Sequence, residues 1–154
     1  MIILGIDPGT QNLGYGVIQK VGGKVKILEA GVIKFPDREL NNALRTFPKE
    51  FDEMFLRWKI DEVAIETVFF SKNPKSIIKL AQFRGGLLFY FLSKLEKIAE
   101  YSPLEIKKAL TGNGKSTKEQ VKFMVKIILN IKNEIKSLDI SDALAVAITH
   151  SQRF

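Results

Sequence analysis

Cysteine is absent from the chain, which removes disulfides and thiolate metal ligands from consideration. Long apolar runs are missing too: nowhere do roughly 18 apolar residues follow one another, so no helical membrane span is expected. The opening MIILGID carries neither a basic region nor a long apolar stretch, so no secretory signal is read there. These absences set the expectation of a cytoplasmic protein with no membrane partner. Internal repeats, low-complexity tracts and Ser/Pro-rich linkers are also missing. One domain over residues 1–154 is therefore the simplest division.

Acid is scarce relative to base, with 17 Asp and Glu against 24 Lys and Arg and a net charge of +7. An excess of that size suits a polyanionic partner, because phosphates attract Lys and Arg and release counterions on binding. A Lys-rich chain with no such partner would show the same excess. What remains is an ordinary globular balance, 45% hydrophobic and 27% charged, and a chain this long buries a substantial core without staples.

The first third reads as three meandering strands, at residues 2–6, 15–19 and 25–35. Asp7-Pro8-Gly9 stops the first, Gly22-Gly23 turns the second into the third, and Gly31 is expected to interrupt the third. From Leu40 the period becomes helical through Leu44, Phe47, Phe51, Met54, Phe55 and Trp58. Pro48 falls inside that pattern, where it should kink or restart the helix. A short strand at 62–66, a long apolar helix at 76–95, a strand near 98–101 and a helix at 103–110 follow. Two more helices complete the chain, one over 118–129 behind a capping box and one from about Asp139 to the end. The order is that of an α/β domain with an antiparallel portion in its sheet.

Four carboxylates stand where chemistry would use them. Asp7 closes the first strand, and Glu66 closes the fourth in AIET. Asp139 and Asp142 lie three apart in LDISDALAVA and so share a helix face. If the first and fourth strands are neighbours, Asp7 and Glu66 meet at a sheet edge and the last helix brings its pair alongside. Clustered carboxylates repel one another and need cations, and hard oxygen ligands with open positions favour Mg²⁺ or Mn²⁺. Two such ions activate water and stabilise the leaving oxygen at a phosphodiester. Taken singly, each residue has a plainer role, as a turn residue, a strand end or a helix cap. The set is what carries the inference.

The blocks ILGIDPGTQNLGYGVI, AIETVFFSKN, TGNGKSTKEQV and DISDALAVAITH, in that order, resemble the RuvC family of crossover junction endodeoxyribonucleases. GIDPGT alone is unspecific; the four blocks together are specific and span essentially the whole chain. The resemblance implies an α/β ribonuclease-H-like fold, a mixed five-stranded sheet flanked by helices. It implies a homodimer that hydrolyses two opposed strands of a four-way (Holliday) junction during recombination and repair, alongside the RuvA–RuvB branch-migration machinery. It sets Asp7, Glu66, Asp139 and Asp142 on the catalytic, metal-binding positions, with Mg²⁺ at two ions per site or Mn²⁺ in its place. Some members carry His at the position matching Asp139.

By the same resemblance Phe69 is a wedge at the junction centre, and an exposed aromatic does stack on an unpaired base. The plainer reading of Phe69 and Phe70 is a pair of core aromatics, and Phe70 is assigned to packing. Lys107 and Lys118 fall on basic positions of the family, although Lys107 beside Lys108 reads equally as a solvated charge. Lys115 ends the loop Gly112-Asn113-Gly114-Lys115, whose amides are candidates to hold a phosphate, with a surface turn as the alternative. Arg84, just ahead of Gly85-Gly86, is a further candidate DNA contact. Lys118, Lys122 and Lys126 form either a DNA-facing stripe or a wet helix face. The helix at 76–95, with Leu87, Phe89, Phe91 and Leu92, is a candidate dimer surface or else a buried core helix. His150 lies about 12 Å from Asp142 along a straight helix, too far to share an ion directly, and is read as structural or as acting one step removed from the site.

Three rival readings share part of this pattern. A sugar-kinase or actin-like ATPase begins with a similar GIDxGT hairpin but needs a second half that this length has no room for. A non-catalytic junction binder would not keep clustered carboxylates that repel DNA. A ribonuclease H differs in cutting RNA–DNA hybrids.

Overall fold

The computed structural model describes residues 1–67 and 73–154. Among these, the strands β1 (Ile2–Asp7), β2 (Asn12–Val21), β3 (Lys24–Lys34), β4 (Glu62–Glu66) and β5 (Ala99–Tyr101) form one sheet in the order β3-β2-β1-β4-β5. β1, β2 and β3 pair antiparallel, as short connections require, whereas β4 and β5 run parallel to β1. The helices α1 (Leu40–Trp58), α2 (Pro74–Leu92), α3 (Pro103–Thr111), α4 (Lys118–Ile128) and α5 (Leu138–Ser151) complete the ribonuclease-H-like arrangement.

Strand alternation sorts the core into two layers. Leu4, Ile6, Val63 and Ile65 face Phe47, Phe51, Phe83 and Phe91 of α1 and α2. Ile3, Ile18 and Ala64 face the other way, onto α3, α4 and the buried stretch of α5 from Ala143 to Ile148. The aromatic layer is held edge-on, with Phe47 against Phe83 at 5.8 Å and Phe51 against Phe91 at 5.1 Å between ring centroids.

Several expected boundaries shift. β3 runs uninterrupted through Gly31, which pairs with Tyr15; the irregularity lies opposite Val17 and Ile18 instead. A side chain at Gly31 would run into the Tyr15 ring, so its smallness serves packing across the ladder. β2 extends well beyond 15–19, because β1 and β3 both hydrogen-bond to it. α1 passes through Pro48 as one helix without restarting. α2 begins two residues early, on Pro74, where the Asn73 side chain accepts from the Lys75 amide at 3.1 Å. Gly22 and Gly23 make the expected tight turn, both at positive φ.

Candidate active site

β1 and β4 are neighbours and parallel, with Gly5 opposite Ala64 and Ile6 opposite Ile65. One residue further, both strands end on a carboxylate, Asp7 and Glu66, at the carboxyl edge of the sheet. Alternation puts these two side chains on the face that also carries Ile3 and Ala64, which is the face α5 covers. The two carboxyl groups are close enough to act on each other's proton directly.

α5 brings the other pair. Ser137 caps its start, accepting from the Asp139 amide at 3.1 Å, and its hydroxyl also donates to the Asp139 carboxylate at 3.3 Å. The helix then lies against β1 and β2 at a distance that only glycine permits. A Cβ at Gly14 would overlap the backbone carbonyl of Asp139, and one at Gly5 would overlap that of Ala143. Gly14 is the residue paired with Asp7 across β1 and β2. The close seat therefore fixes Asp139 over the residue that stands beside Asp7 on the next strand.

The four carboxylates share one electrostatic environment. Burial, and then the neighbouring Glu66, push the Asp7 carboxyl up to about 9, with Asp142 and Asp139 adding to the effect. Burial also raises Glu66, against the pull of Lys118 and Lys107, and raises Asp142, against Lys118. Lys118 reaches Asp142 at 3.3 Å, and that contact holds its ammonium above the usual lysine range. Glu66, Asp142, Lys107 and Lys118 line one cleft of about 190 Å³, floored by Ile106 and Val121. Among the described residues no three acidic or histidine side chains are drawn together tightly enough to coordinate an ion as they stand. The donor set nevertheless fits a hard cation. It is all carboxylate oxygen, mutually repelling, and partly neutralised by a lysine where an ion would serve.

A match to the family model described as "Crossover junction endodeoxyribonuclease RuvC" covers residues 3–150. The chain belongs to the RuvC family. The RuvC of Aliarcobacter butzleri is 52% identical over 153 residues, covering 99% of each chain. The structure of Thermus thermophilus RuvC superposes with a TM-score of 0.85 at 31% identity, covering 98% of this chain and 93% of that one. The same RuvC in complex with Holliday junction substrate gives 0.85 at 30% identity, with the same coverage.

The remaining candidates of this RuvC-family chain divide. Lys107 and Lys118 stand beside the acids. Lys115 is exposed on the loop after α3, apart from that cleft. Three of the loop's amides are used internally, as in the surface-turn alternative. The Gly112 amide donates to Lys108, that of Asn113 to Thr111 and that of Lys115 to the Asn113 side chain. Lys122 and Lys126 both reach Glu134, at 3.1 and 3.3 Å, as an ordinary surface network would. Arg84 is only 13% exposed and is held by Glu66 and Glu100. Phe69 and Phe70 lie outside the described residues. His150 meets the Tyr101 hydroxyl at 2.8 Å and Glu62 at 3.3 Å, away from the acidic cleft. Burial lowers its proton affinity. Sequence reasoning missed Gly5, Gly14 and Ser137. The cap had a signal, since Ser two residues ahead of Asp139 is a capping residue type; the glycines had none, because nothing local to a strand tells that a helix will lie on it.

Proposed function

We propose that residues 1–154 act as one nuclease domain that resolves Holliday junctions by metal-dependent, symmetric nicking of two opposed strands in recombination and repair. The observation that carries this reading is the convergence of Asp7, Glu66 and Asp142 beside Lys107 and Lys118, with Asp139 seated over Gly14. Asp7, Glu66, Asp139 and Asp142 would hold Mg²⁺, two ions per site, with Mn²⁺ as a substitute. Bound ions supply Lewis acidity and an activated water to such a site. The protein's own part is to orient the four carboxylates, to exclude water beneath them with Ile106 and Val121, and to receive phosphate. Lys118 and Lys107 would meet the backbone of the cut strand. Lys115 would add an outer phosphate contact, and Phe69 a wedge at the opened centre.

Two opposed cuts need two active sites. The apolar stripe Ile78, Phe89 and Leu92 on the outer face of α2, exposed by 59, 80 and 52%, is our proposed homodimer surface. Gly85 lies open within that stripe. A closed two-fold pair is the commonest way to double a site. The RuvA–RuvB complex as partner, and a cytoplasmic location, are proposed on family membership; no helix among the described residues is long and apolar enough to cross a membrane.

The test is incubation of purified protein with a synthetic four-way junction and with linear duplex, with and without Mg²⁺. The expected result is paired nicks in the junction only, only with metal. Glu66→Gln should bind the junction and leave it uncut. Junction binding without nicking in either Mg²⁺ or Mn²⁺, or wild-type cleavage by Glu66→Gln, would overturn the reading.

A further inference from the structure

Arg84 reaches the site from behind. It lies on α2, in the helical layer on the opposite side of the sheet from α5. Its Nε donates to the backbone carbonyl of Glu66 at 3.1 Å, and its terminal nitrogen pairs with the Glu100 carboxylate of β5. Glu100 is the residue in register with Ile65, one step before Glu66, on the outermost strand of the sheet. The guanidinium thus ties the last residue of β4 to its edge neighbour just where the chain leaves the ladder. The Thr67 amide, bonded to the Tyr101 carbonyl at 2.8 Å, is the next rung. The cations that act on the Glu66 side chain itself are Lys118 and Lys107, on the other face. Arg84 addresses only its backbone.

A planar fork with two fixed partners on two strands restricts rotation of the peptide that carries Glu66. A carboxylate at a strand's last residue otherwise depends on its ladder bonds alone for its direction. We propose that Arg84 is a positioning residue for metal-dependent cleavage. Through the Glu66 carbonyl and Glu100 it sets the direction in which the Glu66 carboxylate meets Asp7 and a shared cation. This rests on the reading of the acidic set as a metal-binding nuclease site, and it gives Arg84 a role distinct from touching DNA.

The test compares wild type with Arg84→Gln, Arg84→Lys and Glu100→Gln. Three quantities are read: junction affinity in chelator, single-turnover cleavage against Mg²⁺ concentration, and Mn²⁺ affinity of the free protein by calorimetry. Groups that orient a metal ligand typically change metal affinity or activity 10–100-fold when removed. Arg84→Gln should therefore need about tenfold more Mg²⁺ for half-maximal cleavage and bind Mn²⁺ correspondingly more weakly. Its junction affinity in chelator should stay within a factor of about two, which is a few tenths of a kcal/mol. Glu100→Gln should shift metal affinity in the same direction, with a less than additive effect in the double variant. Arg84→Lys, keeping one donor, should recover part of the loss. If Arg84→Gln loses junction affinity in chelator by the factor it loses in cleavage, Arg84 is a DNA contact and the proposal fails. If it lowers the melting temperature but leaves metal dependence unchanged, Arg84 is merely structural and the proposal fails too. Wild-type protein that cuts nothing overturns the nuclease reading alone, and the Mn²⁺ titration still decides Arg84.

Discussion

Asp7 sits with its carboxyl among three others, and burial together with Glu66 keeps it protonated near neutral pH in the absence of a cation. The unfolded chain releases that proton at the ordinary value of 3.8, whereas the folded chain holds it up to about 9. Between those values the fold binds more protons than the unfolded state, so metal-free stability falls as pH rises through the window. Asp7→Asn removes the titration. In chelator at pH 8 it should gain at least about 1 kcal/mol over wild type, or roughly 2–4 °C in melting temperature. Near pH 4 the two should converge. Melts at several pH values decide this, and a gap that does not widen with pH would show that Asp7 ionises freely in the fold. Added Mg²⁺ should stabilise wild type and leave the variant nearly unmoved, while cleavage by Asp7→Asn is lost.

α5 is held by fit as much as by hydrophobic burial. Ala143 and Ala147 approach β1 at Gly5, and Asp139 approaches β2 at Gly14, with no room for a methyl group between. Gly14→Ala must therefore push the amino end of the helix away from the sheet, since the obstructing atom belongs to backbone and cannot rotate aside. We expect a loss of about 1–3 kcal/mol, as overpacked sites commonly show. The loss of cleavage should be tenfold or more, with the helical circular dichroism retained. Gly22→Ala, at an open turn far from the acids, serves as the control for ordinary glycine strain. A Gly14→Ala protein that cuts junctions at the wild-type rate would show that Asp139 does not depend on this seat. The periodicity of α5 was legible in LDISDALAVA, but the clearance beneath it was not, because a glycine in an open strand and a glycine under a helix look the same in one dimension.

At the scale of the whole molecule, α2 presents two unlike faces. Phe83, Leu87 and Phe91 are buried against the sheet and α1, while Ile78, Phe89 and Leu92 point outward. Leu87 and Phe91, expected in the dimer surface, therefore belong to the core, and of the residues named for that surface only Phe89 and Leu92 are left to serve the proposed pairing. Phe89→Glu should leave melting temperature within a few degrees, because the side chain is 80% exposed. It should convert a dimer to monomer in sedimentation and separate the two nicks of a junction into independent events. Wild-type protein that remains monomeric at micromolar concentration, even on junction DNA, would remove the basis for paired cutting through this surface.

By itself the sequence determined the elements, their order and the identity of the four carboxylates, because hydrophobic period, turn residues and family blocks are local properties of the chain. Asp7 and Glu66 were legible as strand ends for the same reason. Only the tertiary structure decided that β1 and β4 are parallel neighbours, that Lys118 rests on Asp142, and that Arg84 turns to the Glu66 backbone. Those outcomes depend on which faces pack together across separations of 18 to 59 residues in the chain, where no periodicity carries information. The sequence showed which groups were available; packing decided which of them meet.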